Sequence, residues 1–153
     1  MSDITTTTTN RYAGSSIQKV ALVVGIVFLL VGIAGFVPGL TTGDLAGAGH
    51  ESMAMLLGIF QVSVLHNIVH LLFGVVGLLA AARASGSRMY LVIGGIVYFV
   101  LWIYGLFTAG HSSGANFVPL NNADNWLHLV LAVGMVALGV FLPRERRRPV
   151  SAA

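Results

Sequence analysis

The chain has 153 residues, of which 56% are hydrophobic and only 8% are charged. Soluble domains carry about 25% charged residues, so this composition excludes an ordinary soluble fold and predicts an integral membrane protein. The sequence pI of 9.8 does not indicate nucleic-acid binding, because half of the eight basic residues lie in one short C-terminal stretch. The chain has no cysteine, which excludes disulfides, thiolate catalysis and cysteine-ligated metals.

Four apolar runs divide the chain into segments. Residues 1–17 are polar and threonine-rich and predict a disordered cytoplasmic tail. Residues 18–143 form the predicted membrane domain, whose four spans are Val20–Val37, Val64–Ala82, Met89–Phe107 and Trp126–Leu142. Residues 144–153 form a basic cytoplasmic tail, in which Arg144–Arg148 is expected to contact anionic lipid. The predicted fold is therefore all-α, an integral membrane four-helix bundle.

The basic residues predict the orientation of these spans. All eight lie before the first span, between the second and third, or after the fourth: Arg11, Lys19, Arg83, Arg88, Arg144, Arg146, Arg147 and Arg148. The two remaining loops contain no lysine or arginine. Cytoplasmic loops are the ones enriched in basic residues, so both termini are predicted to lie in the cytoplasm.

The apolar stretch that contains the second span is too long for one crossing. Met53–Ala82 has 30 residues, roughly 45 Å as a helix, against a hydrocarbon core of about 30 Å. Because Arg83 fixes one end, residues 54–62 are expected to lie in the outer interface as a short helix or re-entrant turn. A single, steeply tilted helix is the alternative. At the fourth span, Asp124 or Asn125 is expected to be the N-cap.

Two short motifs recur in the same order along the chain. Asn67–Leu71 in the second span is echoed by Asn125–Leu129 in the fourth, and Lys19–Gly25 before the first span by Arg88–Gly94 before the third. Apolar sequence also produces such matches by chance. The chain is therefore either two duplicated helical hairpins of the same orientation, or a single bundle with accidental similarity.

Glycines in the first and third spans predict close helix packing. They lie inside apolar runs, without the strand-turn-helix context of a phosphate-binding loop. Small residues at such positions let two helix backbones approach closely. The positions concerned are Gly25, Gly32 and Gly35 in the first span, and Gly94, Gly95 and Gly105 in the third.

Polar side chains share one face of the second span and one face of the fourth, and each stripe continues in small residues. These stripes predict that the two spans contact each other, with hydrogen bonds across the contact. Counting back along the helices from Arg83 and Arg144 places the histidines in the outer part of the membrane. We therefore predict one polar cluster that opens to the outer face: His66, Asn67, His70, Asp124, Asn125 and His128.

Several interpretations of this cluster stay open at this point. It can be a hydrogen-bonded staple between two spans, or a proton-responsive site, since imidazoles titrate near neutral pH. Alternatively it can bind a metal such as zinc, or a haem or quinone, through histidines on facing helices. The candidate metal ligands are His66, His70, Asp124 and His128. No Ser-His-Asp or paired-carboxylate arrangement is indicated, so we expect no enzymatic activity.

Two motifs resemble those of a known family. Leu65–Gly74 reads Leu-His-Asn-Ile-Val-His-Leu-Leu-Phe-Gly, and Ala123–Leu129 contains Asp-Asn-Trp-Leu-His. In both, the chain is similar to a bacterial membrane-protein family known as domain of unknown function 4383, over about Val20 to Leu142. The resemblance implies a four-helix protein of the bacterial plasma membrane, with these polar residues as the family's marked positions. It implies no activity, and it leaves a homo-oligomer or a role as accessory subunit of a larger membrane complex open.

Overall fold

A computed structural model describes residues 11–49, 51–111 and 114–143 of the chain. These residues form four helices and one small sheet. The helices are α1 (Ser16–Ala34), α2 (Val64–Ala80), α3 (Ala84–Thr108) and α4 (Asn122–Phe141). The strands are β1 (Thr41–Thr42), β2 (Ala54–Leu56) and β3 (Phe60–Val62). The predicted basic tail, and residues 1–10 of the predicted disordered tail, lie outside the described residues.

The fold is mostly helical, as predicted, and its helices are apolar enough for a membrane protein. Helices α1, α3 and α4 are each long and apolar enough to cross a bilayer, whereas α2 is a shorter apolar helix of 17 residues. Seventeen residues rise roughly 25 Å, slightly less than a hydrocarbon core of about 30 Å. The small three-stranded sheet was not predicted, and among the described residues it is the one departure from an all-α architecture.

The N-terminal segment is more ordered than its composition predicted. Tyr12 donates from its hydroxyl to the carbonyl of Leu78, and the Ala13 amide donates to the carbonyl of Ala81. These carbonyls belong to the last turn of α2, where no intrahelical donor remains. Residues 11–15 therefore find their partner in tertiary structure, which polarity alone did not reveal.

Residues 54–62 form a β-hairpin rather than the helix or re-entrant turn that we predicted. Strands β2 and β3 pair antiparallel in the register Ala54↔Val62 and Leu56↔Phe60, and β1 adds to the other edge of β2. At the tip, Leu57 and Gly58 both have positive φ, of 53° and 69°. Such a turn matches the right-handed twist of the strands, so the hairpin closes even though its sequence reads as an apolar helical run.

Helix α4 begins one turn earlier than predicted. Its N-cap is Asn121, whose side-chain oxygen accepts from the Asp124 amide at 2.9 Å, while the Asp124 carboxylate accepts from the Asn121 amide at 3.0 Å. In such a capping box two orphan amide donors are satisfied together. The predicted N-cap at Asp124 or Asn125 was therefore wrong: Asp124 is the third residue of the helix and completes the cap from inside.

The helices pack as two hairpins. Helix α1 packs along α2, and α3 packs along α4, while α1 and α3 make the main contact between the two pairs. Helices α2 and α4 do not pack along their lengths, so the predicted contact of these two spans is confined to side chains near one end. Each polar stripe is turned mainly toward the preceding helix of its own hairpin.

Glycines bring the paired backbones together, as the sequence predicted. A Cβ atom on Gly25 would lie 2.9 Å from the carbonyl oxygen of Gly74 and 2.9 Å from the amide nitrogen of Leu78. In the second hairpin, a Cβ on Gly95 would lie 2.9 Å from the carbonyl oxygen of Ala132. Backbone atoms cannot move aside as a flexible side chain can, so these positions accept only glycine without separating the helices.

The two hairpins bury corresponding residues, which supports a true duplication. The buried positions of α2 and its C-cap reappear in α4 at a constant offset of 58: 66, 67, 70, 74, 77 and 81 against 124, 125, 128, 132, 135 and 139. For α1 and α3 the offset is 70, which pairs Gly25 with Gly95 and Phe28 with Tyr98. The sequence echo of Lys19 and Arg88 was one residue out of register, because Gln18 is the counterpart of Arg88.

Replacing Gly25 by alanine tests this packing. The added methyl group would collide with the backbone of α2, so we expect a loss of about 1–3 kcal/mol in the free energy of unfolding. Gly134 is the matched control, because nothing lies within 4 Å of a Cβ built there. Gly134→Ala should leave stability unchanged or raise it by up to about 1 kcal/mol through helix propensity. Thermal melts in detergent compare the two, and equal effects would contradict the packing.

Candidate functional site

All six residues of the predicted polar cluster are buried together near one end of the helices. Their side chains are between 0 and 9% exposed, a burial that polar residues reach only in organised surroundings. His66, Asn67 and His70 come from the first turns of α2, and Asp124, Asn125 and His128 from those of α4. The duplication explains why two separate helices present the same kinds of side chain at the same depth.

Three histidine rings form the centre of the cluster. The ring centroids of His66 and His70 are 4.6 Å apart, since residues four apart in a helix share one face. The centroid of His128, on α4, lies 6.4 Å from that of His66. The prediction that the histidines of the two helices come together is therefore consistent with the structure, although the helices themselves are not packed side by side.

Two aromatic rings pack against the histidines. Phe28 of α1 and Tyr98 of α3 stack with centroids 5.5 Å apart. Phe28 lies 5.6 Å from His70, and Tyr98 lies 5.1 Å from His128. Sequence reasoning identified neither Phe28 nor Tyr98 as part of the site. The signal that could have found them is the duplication, because they occupy equivalent places in the first helix of each hairpin.

The two asparagines pack against glycines of the preceding helix. A Cβ atom on Gly35 would overlap the side-chain amide of Asn67, and one on Gly105 would overlap that of Asn125. Both amide atoms of Asn67 and the Oδ1 atom of Asn125 are buried without a hydrogen-bond partner among the described residues. The asparagines thus fit by shape, and their hydrogen-bonding capacity remains available inside the site.

The Asp124 side chain makes no hydrogen bond to the histidines and instead binds the backbone of strand β3. Its carboxylate accepts from the backbone amide of Gln61 in β3 at 2.9 Å, besides the amide of Asn121. His66, its counterpart on α2, lies against the backbone of Pro119 and Gln61. Pro119 is the counterpart of Gln61 at the offset of 58. Asp124 of the α3–α4 hairpin therefore contacts the segment before α2, and His66 of the α1–α2 hairpin contacts the segment before α4.

These contacts close the site. We call residues 41–49 and 51–62, which contain the sheet β1–β3, together with residues 114–121 the cover. Its two parts are joined by hydrogen bonds from the Gly49 amide to the Phe117 carbonyl at 2.7 Å and from the Asn121 side chain to the Ile59 carbonyl at 2.7 Å. We predicted that the cluster opens to the outer face, whereas the structure buries its side chains beneath the cover.

The histidines show no metal-binding arrangement. Among the residues that the structure describes, no group of three or more His, Cys, Asp or Glu side chains is placed to hold a metal ion. Asp124, the acidic candidate ligand, is engaged by two backbone amides instead. The Nδ1 atoms of His66, His70 and His128 are buried without a hydrogen-bond partner among the described residues. What distinguishes the site is thus a buried group of side chains with several nitrogen atoms that have no partner among the described residues.

A double-mutant cycle tests the asparagine–glycine contact. Gly35→Ala should destabilise the protein by about 1–3 kcal/mol, because its methyl group would overlap the Asn67 amide. In an Asn67→Ala background the same change should cost little, giving a coupling of about 1 kcal/mol or more.

The pair Gly105→Ala and Asn125→Ala repeats the measurement in the second hairpin and should give a coupling of the same sign. Additive losses in both hairpins, measured by thermal or denaturant unfolding in detergent, would contradict the contact.

Comparisons with known proteins agree with the motifs. A family model described as a domain of unknown function, DUF4383, matches residues 18–141. The match includes all four helices except the first two residues of α1, and the whole histidine cluster. No curated protein matches the chain, and no solved structure matches it either.

Proposed function

The chain belongs to the DUF4383 family, and we propose that it is a non-enzymatic, proton-responsive protein of the bacterial plasma membrane. The observation that carries this proposal is the enclosure of three imidazole rings, His66, His70 and His128, in one closed site. Imidazole is the side chain that changes its charge between about pH 5 and 8. Ionisable groups within a membrane domain mark functional sites by default, because they are costly there.

The proposed topology has four spans with both termini in the cytoplasm. The basic side chains of the described residues support it, since residues 11–15 lie against the end of α2 next to Arg83. Arg88 reaches the end of α4, where it donates to the carbonyls of Val140 and Leu142. Positive charge therefore collects at one end of the helices, and the cover lies at the other. By the positive-inside rule the cover faces outward.

Protonation is unfavourable while the cover is closed. A first positive charge on His70 would face His66 on its own helix, Phe28 of α1 and His128 of α4. Tyr98 of α3 lies against His128. The nearby carboxylate, Asp124, already accepts from two backbone amides. A second charge on His66, at 4.6 Å, would add repulsion of about 3–4 kcal/mol at an effective dielectric constant near 20.

The expected response follows from this balance. Closed molecules favour neutral imidazoles, whereas molecules with a displaced cover expose the same rings to water and bind protons readily. Acid therefore shifts the population toward the open arrangement, as in any two-state equilibrium whose states bind a ligand differently. His66 is placed to transmit the change, because it lies against the backbone of both halves of the cover, at Gln61 and Pro119.

Hydrogen–deuterium exchange in lipid nanodiscs tests this response. After correction for intrinsic rates, lowering the pH from about 7.5 to 5 should speed exchange in residues 54–62 by about tenfold or more. Exchange in α3 should change little. The variant His66→Gln/His70→Gln/His128→Gln should lose the effect, and His111→Gln should keep it, because His111 is exposed and outside the cluster.

Two results would contradict the proposal. Equal acceleration in α3 and in the cover would mean that acid merely unfolds the protein. An unchanged cover in the wild type would mean that the cluster does not respond to protons in this range. Asp124→Ala serves as a positive control, since losing its bonds to Gln61 and Asn121 should speed exchange in β3 at every pH.

The topology has its own test. Reporter domains that are active only outside the cytoplasm should be active when fused after Ala46 or Ser113, and inactive when fused after Arg83. The reason is the distribution of lysine and arginine, which are confined to the other side. A reporter after Ala46 that stayed cytoplasmic would reverse the orientation and place the cover inside the cell.

A further inference from the structure

A groove runs along the surface of the α3–α4 hairpin, between the two helices. It encloses about 440 Å³. Its floor contains the small residues Ala132 and Ala137, and its walls are larger side chains such as Ile96, Phe99 and Phe141. Every lining residue is apolar, so the groove offers no partner for water.

The position of the groove determines what can fill it. Both helices are apolar enough to cross a membrane, and the groove opens between them on the side of exposed residues such as Val133 and Phe141, which are 61 and 83% exposed. A surface of this kind faces the hydrocarbon of the bilayer. An apolar groove at that position is filled by hydrocarbon, which means a lipid chain or an apolar segment of another protein.

A positive charge stands at one end of the groove. The Nη2 atom of Arg88 donates to the carbonyls of Val140 and Leu142, at 3.2 and 3.3 Å, on either side of the groove residue Phe141. These bonds hold the guanidinium at the end of α4, where its positive charge also complements the helix dipole. Because Nη2 is used by the two carbonyls and Nε is buried, the Nη1 atom is the donor group that remains for a phosphate.

We propose that this groove holds an acyl chain of an anionic phospholipid whose phosphate group is bound by Arg88. Charge complementarity favours such a lipid over a second copy of the chain. A second copy in the same orientation would bring its own Arg83 and Arg88 to the same level, where like charges repel. The site is distinct from the general attraction of the C-terminal arginines, because it combines one fixed charge with one shaped apolar groove.

Native mass spectrometry of the full chain tests the proposal. The detergent-purified protein is mixed with equal amounts of phosphatidylglycerol and phosphatidylcholine that carry identical acyl chains. The wild type should retain phosphatidylglycerol in preference to phosphatidylcholine, and Arg88→Gln should lower that preference about fivefold, as the loss of one basic residue at a membrane surface predicts. Arg88→Lys should keep most of the preference. Arg83→Gln, at the same end but away from the groove, should behave as the wild type.

Filling the groove gives an independent test that does not touch the arginine. Ala137→Phe should reduce the retention of both lipids severalfold, because the added ring occupies the place of the acyl chain. Ala80→Phe is the matched control and should retain both lipids like the wild type, since Ala80 lines a separate apolar groove between α2 and α3. If Ala137→Phe retains both lipids like the wild type, or if Arg88→Gln keeps the preference, the lipid is held elsewhere and the proposal is overturned.

Discussion

The close approach of paired helix backbones is the constraint on which the rest of this structure depends. Lipid tails are as apolar as leucine, so burial of apolar side chains does not hold membrane helices together as it does in water. Packing has to supply the attraction, and glycine permits it here: Gly25 meets the backbone of α2, and Gly95 meets that of α4. Further along each pair, an asparagine amide fills the space beside a glycine, at Gly35 and at Gly105. The polar cluster therefore lies where the hairpins are already fixed by shape.

The two hairpins bury corresponding positions, and the polar and aromatic residues of the site differ at some of those positions. Phe28 corresponds to Tyr98, and the two rings meet between the hairpins. His66 corresponds to Asp124, so equivalent positions carry a base on one side and an acid on the other. Both reach the segment before the opposite helix, Asp124 through the amide of Gln61 and His66 at the backbone of Pro119. One cover therefore serves both hairpins, because each hairpin contacts the segment that precedes the second helix of the other.

Sequence patterns predicted the helices, because helices follow from local periodicity. The burial of His66, Asn67 and His70 on one face requires only the helical repeat. The cover could not be predicted in the same way. Residues 54–62 have the composition of a helix, and they form a hairpin because a turn at Leu57 and Gly58 and pairing with β1 satisfy their backbone. Closure of the site likewise depends on contacts between segments distant in sequence. The N-cap at Asn121 is different, because its capping box with Asp124 is local and its pattern is present in the sequence.

The contacts of the cluster favour a responsive site over a purely structural one. A staple between α2 and α4 would join the polar side chains by hydrogen bonds, yet Asp124 bonds to backbone amides instead. Three imidazole Nδ1 atoms and both amide atoms of Asn67 are buried without a partner among the described residues. Each buried, unpaired polar group costs about 1–3 kcal/mol, so apolar residues of similar size would give a more stable core. Groups that lower stability in this way support the proposed proton-responsive role, because a function that binds and releases protons accounts for their cost.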